Sequence, residues 1–354
     1  MFSTYKPEDV TILLKDISGL VQPLPTRERE ALIQGGRHYS EMLPLEYEPS
    51  PDYLAAFFKA LELYSPMLAL ATAVLAEKIW AIRGPGLVIV SLARAGTPIG
   101  ILLKRYIEQH MQQPVSHYTI SIIRGRGIDK NALRYILARH QPQHIQFVDG
   151  WTGKGAIQRE LQAALTEWPE LNSGLAVVSD PAGIAAEYGT RDDFLIASSC
   201  LNSTVSGLLS RTFYRDDIIG AEDFHGAAFY KELLAQDLTY KFIDTVAAHF
   251  PSAVSAADWE RPDLAEPGPD AMTEVLQICR EFNIADINLV KPGIGEATRV
   301  LLRRLPWKVL VHSLQDEAHL GHLYQLAREK GVDLQVYPLH NYRACGIIRN
   351  LADT

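Results

Sequence analysis

The fold of this chain is decided by the stretch His144-Ile-Gln-Phe-Val-Asp-Gly-Trp-Thr-Gly-Lys-Gly-Ala156. Its first part, Ile145 to Val148, is a short apolar run typical of a buried strand. The run ends at Asp149 and leads into a glycine-rich turn, after which a helix is predicted from Lys154 to Thr166. Loop N–H groups and the positive end of a helix attract a phosphate, and an acid accepts hydrogen bonds from ribose hydroxyls. The stretch therefore predicts a sugar-phosphate site, and the alternative is an ordinary turn between a strand and a helix.

Strands and helices alternate on both sides of this stretch. Strands are predicted at Leu87 to Leu92, Val115 to Ile123 and Leu175 to Ser179, with helical patterns between them. Phe194 to Ser198 is a candidate for a further strand. Such alternation predicts an α/β fold, with a mostly parallel sheet that carries helices on both faces.

A second, smaller unit is predicted after this sheet. It has an αβ pattern that includes a strand at Ile287 to Val290 and a final short helix near residues 343–351. It is separated from the sheet by a segment rich in Pro, Ala and acids that shows no periodicity. The predicted division is an N-terminal extension or hood at 1–50, the sheet domain at 51–250, a linker at 251–270 and the smaller domain at 271–354.

Composition restricts the class of protein. The chain has 354 residues, 47% of them hydrophobic, as in a globular protein of two or three domains. Its net charge of −8 gives no basic footprint for bulk nucleic-acid binding. Three cysteines at unrelated spacings exclude a disulfide framework and a cysteine-rich zinc site. The chain shows no apolar signal segment and no run of about 18 apolar residues, so we expect a cytoplasmic protein without a membrane span.

The opening stretch resembles the sugar-binding loop of type I phosphoribosyltransferases. In that family a hydrophobic strand is followed by two acids and then by a Thr/Gly-rich phosphate loop. Asp149 matches the first acid, whereas Gly150 replaces the second, and Lys154 stands where a small Thr is usual. The resemblance implies that Asp149 holds the ribose hydroxyls and that the backbone amides of residues 153–156 hold the 5′-phosphate.

Two further loops resemble parts of the same family. The sequence Ala93-Arg94-Ala95-Gly96 follows a predicted strand and resembles the short pyrophosphate loop. The glycine-hinged segment around Arg124 and Arg126 resembles the flexible loop that closes over pyrophosphate. The resemblance implies that Arg94 orients magnesium pyrophosphate and that the two later arginines neutralise its charge. The alternative for each loop is a solvated turn with surface arginines.

Together these loops imply a Mg²⁺-dependent phosphoribosyltransferase that uses phosphoribosyl diphosphate and an unidentified base-like acceptor. The magnesium would be carried mainly by the pyrophosphate of the substrate. The implied catalytic residues are Asp149, Arg94, Arg124 and Arg126. The implied substrate-binding residues, which include polar candidates for an acceptor pocket, are Ala93, Ala95, Gly96, Gly150, Thr152, Gly153, Lys154, Gly155, Ala156, Asn202, Ser203, Thr204 and His225.

A second enzyme class remains open from the residues themselves. A thiolate with an imidazole base forms a nucleophilic pair, so a cysteine hydrolase or protease that uses Cys200 and His225 is the alternative. No protease signature surrounds Cys200, and a lone cysteine after an apolar segment is more often a small buried apolar residue.

The smaller unit contains Lys291-Pro-Gly-Ile-Gly-Glu-Ala-Thr-Arg299 at the start of a predicted helix. The segment resembles the RNA-contacting motif of pelota-type domains, in which Gly293, Glu296 and Arg299 match the pattern. Gly295 replaces the usual Asn. The resemblance implies a structured RNA as a partner, and the alternative is a capped helix that contacts the sheet domain or another subunit.

The two resemblances occur in this order in bacterial proteins linked to tellurium-resistance and stress operons, which are also catalogued as the StiP family of cysteine proteases. The chain is similar to that family over nearly its whole length after about residue 40. Three functions therefore remain open: the transferase, the cysteine hydrolase, and a non-catalytic RNA-binding regulator that senses phosphoribosyl diphosphate. The residues leave a homo-oligomer open as well.

Overall fold

The computed structural model describes residues 2–255 and 270–350. The strands and α-helices of the first range are β1 (Thr11–Ile12), β2 (Lys15–Asp16), α1 (Thr26–Gln34), α2 (Pro51–Arg83), β3 (Val88–Ala93), α3 (Gly96–Tyr106), β4 (Ser116–Ile123), β5 (Gly127–Ile128), α4 (Lys130–Leu137), β6 (Ile145–Trp151), α5 (Ala156–Ala164), β7 (Leu175–Ser179), β8 (Glu187–Thr190), β9 (Gly226–Ala227) and α6 (Thr239–Ala247). Those of the second range are α7 (Ala271–Glu281), β10 (Val290–Pro292), α8 (Ile294–Arg303), β11 (Pro306–Val311), α9 (Glu317–Lys330), β12 (Asp333–Val336) and β13 (Ala344–Ile348).

A mostly parallel sheet forms the centre of the larger domain. Its strands run in the order β1-β4-β3-β6-β7-β8, and each neighbouring pair in this order is parallel. The short strand β5 pairs with β4 in the antiparallel sense. Along β3, Ile89 packs into a core with α2 and α3, whereas Val88 and Val90 pack into a second core with α4 and α5. The predicted α/β fold with helices on both faces of the sheet is therefore confirmed.

The smaller domain has its own sheet, in the order β10-β13-β11-β12. Strand β13 is antiparallel to both β10 and β11, whereas β11 and β12 are parallel. The prediction of a helix near residues 343–351 is wrong, because Ala344–Ile348 forms β13, the strand between β10 and β11, and all five of its residues are buried. A short apolar run fits a strand covered on both faces as well as a helix, so periodicity did not separate the two.

Two other predicted strands are also corrected. The strand predicted at Ile287 to Val290 begins only at Val290, because the Asp286 side chain accepts a hydrogen bond from the Asn288 N–H at 2.8 Å and turns the preceding residues into a 3₁₀ helix. The candidate strand at Phe194 to Ser198 is absent, and a 3₁₀ turn occupies Ala197–Ser199. Most of the linker predicted at 251–270 lies outside the described residues.

The first fifty residues contribute directly to the larger domain. Thr11 and Ile12 pair with β4 and extend the main sheet at its edge. Lys15 and Asp16 pair with β9, so they reach a separate two-stranded sheet. The helix α1 then supplies residues to the space between the two domains.

The long helix α2 is apolar enough, and at 33 residues long enough, to cross a membrane by length and composition alone. In this structure one face of the helix packs inside the protein, whereas Phe58, Leu63 and Ile82 are exposed. Ala69, Ala73 and Ile79 have no exposed surface and belong to the core that the helix shares with α3 and β7. The helix is thus a central packing element of the larger domain.

The two domains share an apolar interface. Ile294, Ala297 and Leu301 of α8 belong to the same core as Phe194 and Val148 of the larger domain. Hydrogen bonds from α2 to the smaller domain flank this apolar contact: the Tyr64 hydroxyl donates to the Ala318 carbonyl at 2.6 Å, and the Tyr53 hydroxyl donates to the Leu302 carbonyl. The domains therefore meet through a core-like surface and not only through a linker.

A glycine on β8 allows α2 to approach the sheet closely. A methyl group on Gly189 would lie 2.1 Å from the Ala71 carbonyl oxygen of α2. We expect Gly189→Ala to lower the free energy of unfolding by about 1–3 kcal/mol, because backbone must move to admit the methyl group. Denaturant unfolding measures this change. Gly153→Ala is the control, since a methyl group there meets nothing within 4 Å; equal losses in both variants would contradict the explanation.

Candidate functional site

A cleft of about 510 Å³ lies between the two domains. On one side it is lined by the ends of β3 and β6 and the loops that follow them. On the other side it is lined by α8. Residues of α1 and of the 44–49 segment close one end. Because the carboxyl ends of parallel strands meet at one sheet edge, the predicted loops after β3 and β6 converge here.

Asp149 lies near the end of β6 and lines the cleft. Its Oδ1 accepts a hydrogen bond from the Gly150 N–H at 2.7 Å. Burial raises the pKa of this carboxyl to about 7, although the Gly150 N–H and the Arg299 guanidinium favour the ionised form. A carboxyl with this pKa can exchange a proton near neutral pH.

Arg94 follows β3 and is held by two acceptors. Its guanidinium donates to the Leu209 carbonyl at 3.0 Å and to Oδ1 of Asn202 at 2.9 Å. The same Asn202 oxygen accepts a hydrogen bond from Arg303 of the smaller domain. Asn202, predicted as an acceptor-pocket residue, therefore links arginines of both domains.

The close approach of β6 to the loop after β3 depends on a glycine. A methyl group on Gly96 would lie 2.5 Å from the carbonyl oxygen of Val148. The neighbouring residues Arg94 and Ala95 line the cleft, and the peptide bond between Ala93 and Arg94 is cis. Gly96 itself is buried behind them.

The glycine-rich loop is covered by the smaller domain. The Lys154 amine donates to the carbonyls of Ile287 and Val290, at 2.5 and 3.0 Å, and the Tyr342 hydroxyl donates to the Gly153 carbonyl at 2.7 Å. The Lys154 charge thus serves an interdomain contact. Burial lowers the pKa of this amine from its ordinary value.

The remaining residues of the glycine-rich loop line the cleft. The Thr152 hydroxyl donates to Asp180 at 2.7 Å, and Thr152 is one of the residues that line the cleft. Gly153, Gly155 and Ala156 line it as well. These residues and Asp149 line one cavity, and the roles that the sequence predicted for the backbone amides stay predictions.

The two predicted loop arginines separate. Arg124 lines the cleft, and its guanidinium lies over the ring of Tyr39, 5.4 Å from the ring centroid. Arg126 forms an ion pair with Glu41 and lies over the ring of Tyr214. Arg126 is not among the described residues that line the cleft, so only Arg124 is brought to the site.

Cys200 and His225 do not form the predicted pair. Cys200 lines the cleft, whereas His225 is not among the described residues that line it, and its ring binds the Ser121 hydroxyl at 2.8 Å. The His225 backbone N–H donates to Asp129 at 2.5 Å. These contacts hold the imidazole in a structural position, and no histidine is among the described residues that line the cleft.

The thiol of Cys200 is protonated in this conformation. Its side chain has no exposed surface, and burial raises its pKa to about 12, although the Arg303 guanidinium opposes the shift. Thr204 also lines the cleft, whereas the Ser203 hydroxyl donates to Glu46 at 3.3 Å from a buried position.

The three residues predicted to contact RNA lie at the domain interface. Gly293 packs beside Asp193, and Glu296 and Arg299 line the cleft, where they form an ion pair at 2.7 Å. Both oxygens of Asp193 accept hydrogen bonds from the Ile294 N–H, at 2.9 and 3.1 Å. The start of α8 therefore faces the larger domain in this structure.

Several cleft residues carried no recognisable motif in the sequence. Arg29 lies in a mixed N-terminal segment and Arg211 in a loop, and neither stands near a glycine-rich turn. Arg303 and Arg304 appear in the sequence only as local positive charge beside the predicted RNA motif. The missed residues that line the cleft and carry charge are Arg29, Glu30, Glu46, Glu48, Arg211, Arg303 and Arg304.

No group of three or more His, Cys, Asp or Glu side chains able to hold a metal ion occurs within residues 2–255 and 270–350. The predicted magnesium depended on the pyrophosphate of a substrate and not on a protein ligand set. It stays a prediction.

Two family models match the chain. One, described as the tellurite-like stress resistance cysteine protease StiP, matches residues 3–247, and the other, the PELOTA RNA binding domain, matches residues 270–350. A curated relative from Acinetobacter baylyi, named cysteine protease StiP, is 37% identical over 366 residues, covering 98% of this chain and 94% of the relative.

Solved structures of phosphoribosyltransferases are similar to part of the chain. The hypoxanthine phosphoribosyltransferase of Trypanosoma cruzi has a TM-score of 0.29 and 16% identity, and covers 46% of this chain and 91% of its own. A hypoxanthine-guanine phosphoribosyltransferase of Bacillus anthracis has a TM-score of 0.28 and 16% identity, and covers 37% of this chain and 80% of its own. Likenesses this weak carry no argument about activity.

The predicted phosphoribosyltransferase activity is therefore wrong. The family model over the larger domain and the curated relative are both described as cysteine proteases, so the transferase, its phosphoribosyl diphosphate and magnesium are not supported as the activity. The cysteine-hydrolase alternative fits these findings better.

The raised pKa of Asp149 has a consequence for stability. The folded state favours the protonated Asp149 carboxyl. The contribution of this group to the free energy of unfolding is therefore fully present below the ordinary pKa of an aspartate and is lost as the pH rises through about 7. We expect Asp149→Asn to be more stable than the wild type by about 2–4 kcal/mol at pH 8, with little difference at pH 4. Chemical denaturation at the two pH values measures this, and a variant less stable than the wild type at pH 8 would contradict the assignment.

Proposed function

The chain belongs to the StiP family, and from this premise we propose that it is a thiol-dependent hydrolase whose nucleophile is Cys200. One observation carries the choice of residue. The sequence has three cysteines, all of them free and buried, and only Cys200 lines the interdomain cleft. Cys279 and Cys345 belong to the core of the smaller domain.

The surroundings of Cys200 favour a thiolate once water reaches it. Arg303 donates to the carbonyl of Ser199, the residue before Cys200, at 3.0 Å, and its positive charge lowers the pKa of the thiol. Desolvation outweighs this charge in the closed conformation. The proposal therefore requires a movement at the domain interface that exposes Sγ, after which the guanidinium groups stabilise the anion.

The proposed reaction has two steps. The thiol proton passes to a carboxylate, and the sulfur attacks a carbonyl carbon of the substrate, with a guanidinium group beside the developing oxyanion. The bond from that carbon to its leaving nitrogen or oxygen breaks, and the leaving group takes up the proton. Water then hydrolyses the thioester, releases the acid and restores the thiol.

Glu46 is the base that fits this scheme. Its Oε2 accepts a hydrogen bond from Ser203, three residues after Cys200, and its Oε1 is buried without a hydrogen-bond partner in the described part of the chain. His225 does not fit, because its ring is engaged with Ser121 away from the cleft. Glu46 therefore acts as the proton acceptor from the 44–49 segment, which lines the same cleft as the nucleophile.

Hydrolysis of fluorescently labelled casein and of p-nitrophenyl acetate tests the nucleophile. We expect Cys200→Ala to lose at least about a hundredfold in rate, because the covalent step is removed. His225→Gln should keep its activity. Cys279→Ala is the matched control, since it removes a thiol that does not line the cleft. Retained activity in Cys200→Ala would contradict the proposal, and so would inactivity of the wild type on both substrates together with no alkylation of Cys200.

The rate of alkylation by iodoacetamide measures the reactivity of the Cys200 thiol directly. With a pKa of about 12, the Cys200 thiol should react in the folded protein about a thousandfold more slowly at pH 8 than in the unfolded chain. The rate should rise with pH up to about that value, because only the thiolate reacts. The two other buried cysteines provide an internal comparison.

We also propose a structured RNA as a partner of the smaller domain, which is supported by its match to the PELOTA RNA binding domain. Because Glu296 and Arg299 line the interdomain cleft, an RNA that contacts them must separate the domains. A cytoplasmic location accords with three free thiols.

Filter binding over a salt titration tests this partner. We expect Arg299→Gln to weaken RNA binding about tenfold. The slope of log affinity against log salt concentration should fall by the amount expected for the loss of about one phosphate contact. Arg328→Gln, on the exposed side of α9, is the control. Equal affinities for wild type and Arg299→Gln would contradict a role for this helix in RNA binding.

A further inference from the structure

We propose that five arginines at one end of the cleft form a binding site for a compact ligand with several negative charges of the phosphate type. This arginine cluster consists of Arg29, Arg94, Arg211, Arg303 and Arg304, all of which line the cleft. The inference concerns binding and goes beyond the hydrolase proposal, because it does not depend on the reactivity of Cys200.

The arginine cluster is assembled from distant parts of the chain. Arg29 is on α1, Arg94 follows β3, and Arg211 lies in a loop of the larger domain. Arg303 and Arg304 stand at the end of α8 in the smaller domain. Burial is the main cause that lowers the pKa of Arg211 and of Arg303, and neighbouring charges add to it: Arg29 and Arg94 act on Arg211, and Arg299 and Arg94 act on Arg303. Five positive charges therefore share one region at the domain boundary.

Nearby acids do not balance these charges. Glu30 forms an ion pair with Arg304 at 3.0 Å. Glu46 acts on Arg29, Arg94 and Arg303 by its negative charge. Glu48 also lines the cleft but is exposed, so these carboxylates remain fewer than the five guanidinium groups. Burial lowers the pKa of Arg211 and of Arg303 to about 9, and mutual repulsion adds to it. Clustered buried charges of one sign are costly unless an opposite charge is bound among them.

Hydrogen-bonding capacity in the arginine cluster is also unused. The Nε atoms of Arg29 and Arg304 are buried and have no hydrogen-bond partner in residues 2–255 and 270–350. Arg211 lies over the ring of Tyr39, 5.3 Å from the ring centroid. Thr204 adds a buried hydroxyl without a partner. These are donors beside a cavity that admits a ligand.

The donor geometry selects the class of ligand. Guanidinium groups present paired N–H donors that match the oxygens of phosphate and carboxylate groups. Five such groups suit several adjacent oxyanions better than one. A cavity of about 510 Å³ has the size of a small-molecule site. The structure therefore points to a small ligand with two or more phosphate-type groups, held by both domains at once.

A ligand held this way would also stabilise the interface. Arg303 and Arg304 belong to the smaller domain, whereas Arg29, Arg94 and Arg211 belong to the larger one. An anion that contacts both sets must draw the domains together, because it replaces repulsion across the boundary by attraction. Its binding is thus linked to closure of the cleft over Cys200.

Isothermal titration with inorganic tripolyphosphate tests the site, with citrate at the same ionic strength as the carboxylate comparison. We expect tripolyphosphate to bind the wild type and citrate to bind at least about tenfold more weakly. Arg211→Gln and Arg304→Gln should each weaken tripolyphosphate binding about tenfold or more. Arg27→Gln is the matched control, because Arg27 lies on α1 like Arg29 but is exposed. Cys200→Ala should bind like the wild type, which separates this inference from the hydrolase proposal.

Thermal unfolding without added anion distinguishes a binding site from a structural ion network. Removing one of five repelling charges should leave the melting temperature of Arg211→Gln equal to or above that of the wild type, and tripolyphosphate should raise it less than in the wild type. Equal tripolyphosphate affinities in Arg27→Gln and Arg211→Gln would overturn the proposal. Tighter binding of citrate than of tripolyphosphate would overturn the phosphate-type assignment.

Discussion

The site depends on the contact between Asp193 and the start of α8. This buried carboxylate accepts hydrogen bonds from the backbone N–H groups of Ile294, at 2.9 and 3.1 Å, and Arg343, at 2.9 Å. Burial raises its pKa to about 6, against the effect of those N–H groups. The contact joins the helix N-terminus of one domain to a loop of the other, where a negative charge is favourable. Together with the apolar interface around Ile294 and Ala297, this contact turns α8 toward the larger domain.

That contact decides what the cleft can do. Because α8 is turned toward the larger domain, Glu296, Arg299 and Arg303 join Asp149 and Cys200 around one cavity. The same orientation covers the helix start that the sequence assigned to RNA. The cleft therefore combines a thiol that burial keeps protonated with a strongly positive surface that burial leaves short of counter-charges. Opening of the interface would let water reach both the Cys200 thiol and the arginines. The protonation of the thiol and the excess of positive charge are therefore physically linked.

The sequence identified the elements whose local patterns are strong. The apolar runs before Asp149 and in the neighbouring strands are buried on both faces of the sheet. From these runs the sequence predicted a parallel sheet and the sheet edge at which the site lies. It failed where two structures share one pattern: the short apolar segment Ala344–Ile348 was predicted as a helix and is the central strand of the smaller sheet. It also failed for activity, since the glycine-rich loop resembles a phosphate loop whereas the family and the curated relative are described as proteases.

The sequence by itself determined the α/β alternation, the presence of two units and the position of Arg94 after a strand, because these follow from burial periodicity within short segments; Asp149, predicted to follow a strand, lies inside β6. Only the tertiary structure decided that His225 is held by Ser121 away from Cys200, and that Arg29 and Arg211 join Arg303. The physical reason is that these neighbours are distant in the sequence and are brought together only by tertiary packing, within the larger domain for His225 and Ser121 and between the domains for Arg303. The charge and pKa of such residues depend on what surrounds them in space, and no local pattern along the chain records that.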